Sequence, residues 1–201
     1  MPRAYRPWAV LIALMAIGLA PALCPAEKPE VKRRPAAWAQ KIERTGLSNL
    51  HKIADGLYRG AQPTAEGIKE LEKLGVRTIV NLRSAHSDQS ILGSSAIRVE
   101  NVPTTPLSLD QEDVVRFLRI ATDKKRQPLF VHCQHGADRT GAMCAAYRVV
   151  VQGWTKRQAI DEMTNGGFGF HSTWTNLPDF IEHLDVEKVK AELKRREGGT
   201  P

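Results

Sequence analysis

Ten consecutive residues carry most of the chemistry in this chain: His132-Cys133-Gln134-His135-Gly136-Ala137-Asp138-Arg139-Thr140-Gly141. They lie between an apolar run rich in strand formers and a stretch of small and apolar helix formers. A short turn in that setting curls successive backbone N–H groups inward and makes a nest for a tetrahedral anion. Gly136 permits the positive φ that such a curl needs. Arg139, at the helix start, offers a planar fork of donors that matches two phosphate oxygens at once, where a lysine offers a point charge. Cys133 sits at the focus of these groups. A helix N-terminus, inward amides and a guanidinium each favour thiolate over thiol, and the thiolate is the nucleophile. The expected chemistry is attack of sulfur on a bound oxyanion held by Gln134, His135, Gly136 and Ala137. Gly141 is expected to let the following helix approach the strand closely. Cys144, on the apolar stretch of that helix, reads as a buried, inert thiol.

The flanking elements place this turn where an α/β protein keeps its ligand. Leu57-Tyr58-Arg59 reads as a short strand closed by Gly60 and Pro63. Thr64 then caps a helix with Ile68, Leu71 and Leu74 on its apolar face and Gly75 as its stop. Val76 to Leu82 reads as a buried strand, a polar loop runs from Arg83 to Ser95, and Ile97 to Val102 is a further strand. Pro103 and Pro106 force an irregular connection. Ser108 and Gln111 are expected to form a capping box for a helix that turns Val114, Val115, Phe117, Leu118 and Ala121 inward. Leu129 to His132 is the strand before the key turn, and a helix from about Arg139 to Gln152 follows it. Further helices are expected at Lys156 to Met163, at Thr175 to Leu184, and from Val186 onward. Strands alternating with helices imply an α/β fold with a central four- to five-stranded, mostly parallel sheet flanked by helices, and in such sheets ligands bind beyond the carboxyl ends of the strands.

The pattern His-Cys-x5-Arg-Thr-Gly between a buried strand and a helix resembles the signature loop of the cysteine-dependent protein tyrosine and dual-specificity phosphatases. The segments Leu57-Tyr58-Arg59-Gly60-Ala61-Gln62-Pro63 and Val80-Asn81-Leu82-Arg83 are similar to the atypical bacterial and plant/fungal branch of that superfamily, and the likeness covers roughly residues 50 to 185. It implies catalysis without a metal or other cofactor. It also implies that Cys133 forms a phosphocysteine intermediate, that Arg139 clamps the phosphoryl oxygens, that Thr140 offers its hydroxyl to the departing sulfur, and that His132 orients the loop.

The sequence departs from that family at the general acid. The usual aspartate on a separate loop should fall within Pro103 to Ser108, and Pro-Thr-Thr-Pro-Leu-Ser holds no carboxylate. Asp138, inside the nest, is the first candidate, in a position that resembles myotubularin-type and Sac-type lipid phosphatases; a bound dianion beside it would keep it protonated for donation. Asp110 is the competitor, with a strong alternative role as a helix first-turn anion, and Asp88 comes third. Arg83, at the carboxyl end of its strand, points to the same rim, where it is expected either to contact a second phosphate or to form a surface ion pair.

Composition narrows the remaining choices. With 201 residues, 42% apolar and 25% charged, the chain can bury one substantial core. Cys24, Cys133 and Cys144 make neither a disulfide framework nor a zinc quartet. The formal charge of +7 sits largely in two flanks interleaved with glutamates, so no nucleic-acid partner is expected, and a basic surface suits phosphorylated substrates. Arg3 and Arg6 precede an apolar run from Trp8 to Ala20, followed by small residues and Pro21. That run is shorter than the about 17 to 25 residues of a membrane-spanning helix. Residues 1–26 therefore read as a signal peptide for export, cut between 22 and 26, rather than a stable membrane span or a lipidation signal at Cys24. Residues 27–47 read as linker or N-terminal arm, 48–185 as the catalytic domain, and 186–201 as a charged C-terminal helix and tail. The expected function is hydrolysis of phosphomonoesters on proteins or on inositol phosphates and phosphoinositides. A phosphatase-like module that binds phosphorylated ligands without turnover is the alternative, favoured by the missing loop aspartate and opposed by the intact Cys133, Arg139 and Thr140. A sulfur-transfer or redox enzyme lacks a well-placed resolving thiol. Oligomeric state leaves no mark in the sequence.

Overall fold

Alternation along the strands sorts the apolar residues into two cores, one on each face of a sheet. The computed structural model describes residues 34–195 together with Met1, so the expected signal peptide and the end of the C-terminal tail lie outside the described residues. Ile79 of strand β4 (Thr78–Arg83) and Phe130 of strand β6 (Leu129–His132) face one layer, with Ile68 and Leu71 of helix α1 (Ala65–Lys73) and Leu92 of the short helix α2 (Gln89–Leu92). Val80, Leu82, Leu129 and Val131 face the other layer. There they meet Val114, Phe117 and Leu118 of α3 (Gln111–Thr122), Met143 and Ala146 of α4 (Asp138–Val150), and residues of α5 (Lys156–Asn165), α6 (Asn176–His183) and α7 (Val186–Arg195). This period of two is what strand geometry requires of a sheet covered on both faces.

The sheet has six strands in the order β1-β2-β3-β6-β4-β5, with β1 (Gln40–Lys41), β2 (His51–Ala54), β3 (Leu57–Gly60) and β5 (Arg98–Thr104) completing it. Strands β3, β6, β4 and β5 run parallel to one another, while β1 and β2 add an antiparallel edge. The expected count of four to five falls short because β1 is two exposed residues and β2 mixes His and Lys into its apolar alternation. Within the sheet, β6 is central: His132 lies beside Gly60 of β3 and Asn81 of β4. The turn that follows therefore emerges between the carboxyl ends of two parallel strands.

A further difference from the expected pattern has a local cause. The capping box of α3 uses Asp110 and Asp113 rather than Ser108 and Gln111: the Asp110 carboxylate accepts from the Asp113 N–H at 2.9 Å and the Asp113 carboxylate from the Asp110 N–H at 3.2 Å. The same polar spacing recurs two residues later, and the Ser108 hydroxyl instead pairs with that of Thr105 at 2.8 Å. Residues 34–47, expected to be linker or arm, are bound to the domain. The Ala39 N–H donates to Glu162 at 2.6 Å, and the Arg34 guanidinium lies over the Phe168 ring. Those anchors are polar and distant in sequence, so apolar periodicity carries no sign of them.

Candidate active site

The turn after β6 is held by its carbonyls. The backbone oxygens of Gln134, His135, Gly136 and Ala137 each accept a bond from outside the turn. Gln62 N–H donates to Gln134 at 3.2 Å, the Asn49 side-chain amide to His135 at 3.0 Å, and the Arg59 guanidinium to Gly136 at 2.6 Å and Ala137 at 3.3 Å. In a planar trans peptide the C=O of one residue and the N–H of the next point in opposite directions. Four carbonyls tied outward thus turn the N–H groups of His135, Gly136, Ala137 and Asp138 to the concave side. Among the described residues none of these N–H groups finds a backbone acceptor. They form the anion nest, and the amino end of α4 completes it.

Gly136 makes that curl feasible. Its φ is +68°, and a Cβ there would run into the backbone of Gly60 and Ala61. Arg59, on β3, is fully buried and stacks on Phe168 with its guanidinium carbon 3.8 Å from the ring centroid. Asn49, itself at a φ of 58°, also donates to the Phe168 carbonyl at 2.8 Å. Arg59, Asn49, Gln62 and Phe168 therefore brace the loop from outside.

Cys133 opens the loop and lines a cavity of about 450 Å³ together with Gln134, His135, Asp138 and Arg139. Pro106, His171, Thr173 and Trp174 close its other side. The Arg139 Nη1 donates to the carbonyls of Leu82 and Thr104 at 3.3 and 3.1 Å, which fixes the guanidinium between the ends of β4 and β5. Thr140 is fully buried, and its hydroxyl has no hydrogen-bond partner among the described residues. Cys144 is buried within α4, and burial pushes its thiol up to about 11. The close neighbour at Gly141 is the Met163 side chain of α5, 3.0 Å from where a Cβ would stand, rather than the strand before the loop.

His132 is buried beneath the loop and belongs to a chain of polar contacts rather than to the cavity wall. Its Nε2 bonds the Asp88 carboxylate at 2.9 Å, and its Nδ1 lies 3.2 Å from the Cys133 carbonyl. Gln62 donates to the other Asp88 oxygen at 2.6 Å and accepts from the Arg83 Nη1 at 2.9 Å. Burial alone would raise the Asp88 carboxyl, but the bonds from His132 and Gln62 outweigh it and hold the group below the usual carboxylate range. Arg83, expected at the rim either for a second phosphate or in a surface ion pair, donates to Gln62 and braces the same chain.

The three carboxylates considered for proton donation are separated by their surroundings. Asp88 is sealed under the loop, and Asp110 caps α3. Only Asp138 borders the cavity. Its carboxylate accepts from the backbone N–H of His171 at 2.9 Å, and the His171 Nδ1 lies 3.1 and 2.9 Å from its two oxygens. His171 lies on the loop between α5 and α6, and nothing in its sequence surroundings marked it. Ligand atoms of His135, Asp138 and His171 all lie within 4.8 Å of one another.

A strand-nest-helix loop with a cysteine at its base and an arginine at its helix start defines a cysteine-dependent phosphatase fold. Residues 36–176 match the family described as DSP-PTPase phosphatase fused to NAD+ kinase. The chain is 34% identical over 165 residues to the dual specificity protein phosphatase TpbA of Pseudomonas aeruginosa, an alignment that covers 82% of this chain and 74% of the relative. It is 27% identical over 154 residues to the inositol diphosphatase DSP3 of Arabidopsis thaliana, covering 71% and 73%. The crystal structure of a cysteine-to-serine variant of P. aeruginosa TpbA in complex with pTyr superposes with a TM-score of 0.73 at 33% identity, over 80% of this chain and 98% of that one. The chain belongs to the dual-specificity phosphatase family, and it is a phosphatase.

Proposed function

We propose that the enzyme hydrolyses phosphomonoesters by in-line attack of Cys133, with the nest amides and Arg139 holding the phosphoryl oxygens. The four outward-tied carbonyls carry this reading, because they aim donors at the point where charge develops in the transition state before any substrate arrives. The Thr140 hydroxyl, buried and without another partner among the described residues, is available to the sulfur as the phosphocysteine is hydrolysed. Asp138, with His171, supplies the proton side of the reaction.

An aryl phosphoester on a protein suits the cavity. Trp174 and Pro106 offer apolar walls for a ring, the common composition of pockets that take one. The pTyr bound by the TpbA variant supports this substrate class. Inositol phosphates are the second reading, supported by the similarity to DSP3. Several phosphates need cations around the rim, and Arg83 is engaged by Gln62 instead. We further propose export by residues 1–26, on the basic and apolar pattern of that segment; a mature amino terminus between residues 23 and 27 in exported protein checks it.

Turnover of an aryl phosphate, a phosphotyrosine peptide and an inositol phosphate by the wild-type protein and by Cys133→Ser tests the reading. Full loss in the variant, with vanadate or phosphate protecting Cys133 from alkylation, is the expected result. Turnover that survives in Cys133→Ser overturns it.

A further inference from the structure

With no carboxylate between Pro103 and Ser108, the leaving oxygen needs a proton from elsewhere, and the residues around the cavity limit the source. Thr173, Trp174, Gln134 and Pro106 do not exchange protons near neutral pH. Arg139 does not release one in a protein. With Cys133 occupied as the nucleophile, Asp138, His135 and His171 are left.

Asp138 is poorly free to act alone. Its Oδ1 already accepts from the His171 N–H, and both its oxygens lie within 3.1 Å of the His171 Nδ1. A carboxylate facing a ring nitrogen at these distances takes a proton donated by that nitrogen and fixes the tilt of the ring. The side chain of His171 is half exposed while that of Asp138 is nearly covered, so the imidazole is the wet end of the pair. His171 borders the same cavity as Cys133 and Arg139. With Nδ1 committed to Asp138, Nε2 at the opposite corner of the ring remains for the substrate. His135 is exposed, its ring centroid lies 5.5 Å from that of His171, and among the described residues no carboxylate bonds its ring.

We propose that His171 is the general acid of this phosphatase, with Asp138 as the positioning residue that holds its ring. The inference rests on the cysteine-phosphatase reading above. In the first step the Cys133 sulfur forms a bond to phosphorus, the bond from phosphorus to the ester oxygen breaks, and the proton on Nε2 of His171 passes to that oxygen. In the second, water attacks phosphorus, its proton returns to Nε2, and the S–P bond breaks to release inorganic phosphate and the Cys133 thiolate. Charge is balanced at each step, and imidazole exchanges protons in the pH range where such a relay works. The charged and titratable groups that face His171 are Asp138, His135, Arg139 and Cys133.

The test compares two substrates in each variant: an alkyl phosphate, which needs the proton, and an aryl phosphate with a good leaving group, which needs it little. His171→Gln should lower alkyl turnover by about 10² or more, the usual contribution of a general acid, and aryl turnover by less than about tenfold. It should also remove the alkaline fall in kcat/KM. Asp138→Asn should give a smaller loss with the same leaving-group bias. A loop merely loosened by the substitution would slow both substrates equally, so equal loss in His171→Gln overturns the proposal. So does a leaving-group bias confined to Asp138→Asn or to His135→Gln. Cys133→Ser, silent on both substrates, keeps the underlying reading separate: if it still turns over, that reading has failed and not the assignment of the acid alone.

Discussion

Arg59 shows how much a single residue outside the signature loop can do. Its guanidinium holds two adjacent loop carbonyls and stacks on Phe168, all within the core. Arg59→Met would keep much of the volume and leave the carbonyls of Gly136 and Ala137 without that donor. Bonds to a charged donor contribute about 1.5–3 kcal/mol each, so thermal unfolding should move down clearly. The rate should suffer as well, because the inward N–H groups depend on those carbonyls staying outward. A misplacement near 1 Å costs on the order of 10²-fold in turnover, and binding of vanadate should weaken in parallel. Unfolding temperature, kcat and vanadate affinity together check this; a stability loss with unchanged vanadate affinity would show that the loop holds its shape unaided. Residues of this kind were hard to read from the sequence. Cys133, Arg139 and Gly136 declare themselves because their relation is one of local spacing. Arg59, Asn49 and Asp88 act on residues 77, 86 and 44 positions away, and His171 meets Asp138 across 33. Only the fold supplies those relations.

At the level of elements, the loop after α5 and strand β2 are coupled through His51. The ring of His51 meets Phe168 edge-on at 4.7 Å, and its Nδ1 lies 2.9 Å from the Asn49 carbonyl. Burial pushes His51 down to about 4, so the folded protein keeps it neutral at pH values where the unfolded chain, near 6.5, has taken up a proton. The unfolded state therefore binds more protons between about pH 6.5 and 4, and stability falls as pH drops through that window. In His51→Gln this contribution is gone, and the urea midpoint should decline less steeply with acid over the same range. Parallel slopes for the two proteins would show that the ring is solvated in the folded state. Strand β2 also marks where pattern reading stops. Strands β4 and β6 and helix α4 bury nearly every side chain and were legible within a residue or three, whereas β1 is two exposed residues, α2 is a single turn and β2 alternates His and Lys with its apolar positions. Such elements exist because a neighbour offers an edge or a surface, and local sequence does not record the offer.

Across the whole molecule, elements outside the signature loop converge on one buried ion pair. Arg148 of α4 and Glu162 of α5 bond twice, each contact at 2.6 Å, and are almost completely covered. Arg148 also donates to the Ile53 carbonyl of β2 and the Ala37 carbonyl of the N-terminal arm, and stacks on Trp154 at 4.1 Å. Glu162 accepts from the Ala39 N–H of that arm. Two helices, a strand and the arm thus share one pair of charges. Removing one partner strands the other in the core and costs about 3–5 kcal/mol, whereas replacing both with apolar residues of similar volume costs far less. Glu162→Met and Arg148→Met should each lower the urea midpoint severely, and the double variant should recover part of the loss. The arm makes the same argument testable from outside the pair. A chain that begins at residue 34 keeps both backbone contacts. One that begins at residue 45 loses the Ala37 and Ala39 partners along with β1, and should be destabilised in the direction of the single variants. Equal midpoints for the two truncations would mean that the arm rests on the domain without supporting it, and the six-stranded sheet would then owe its stability to β2 through β6 alone.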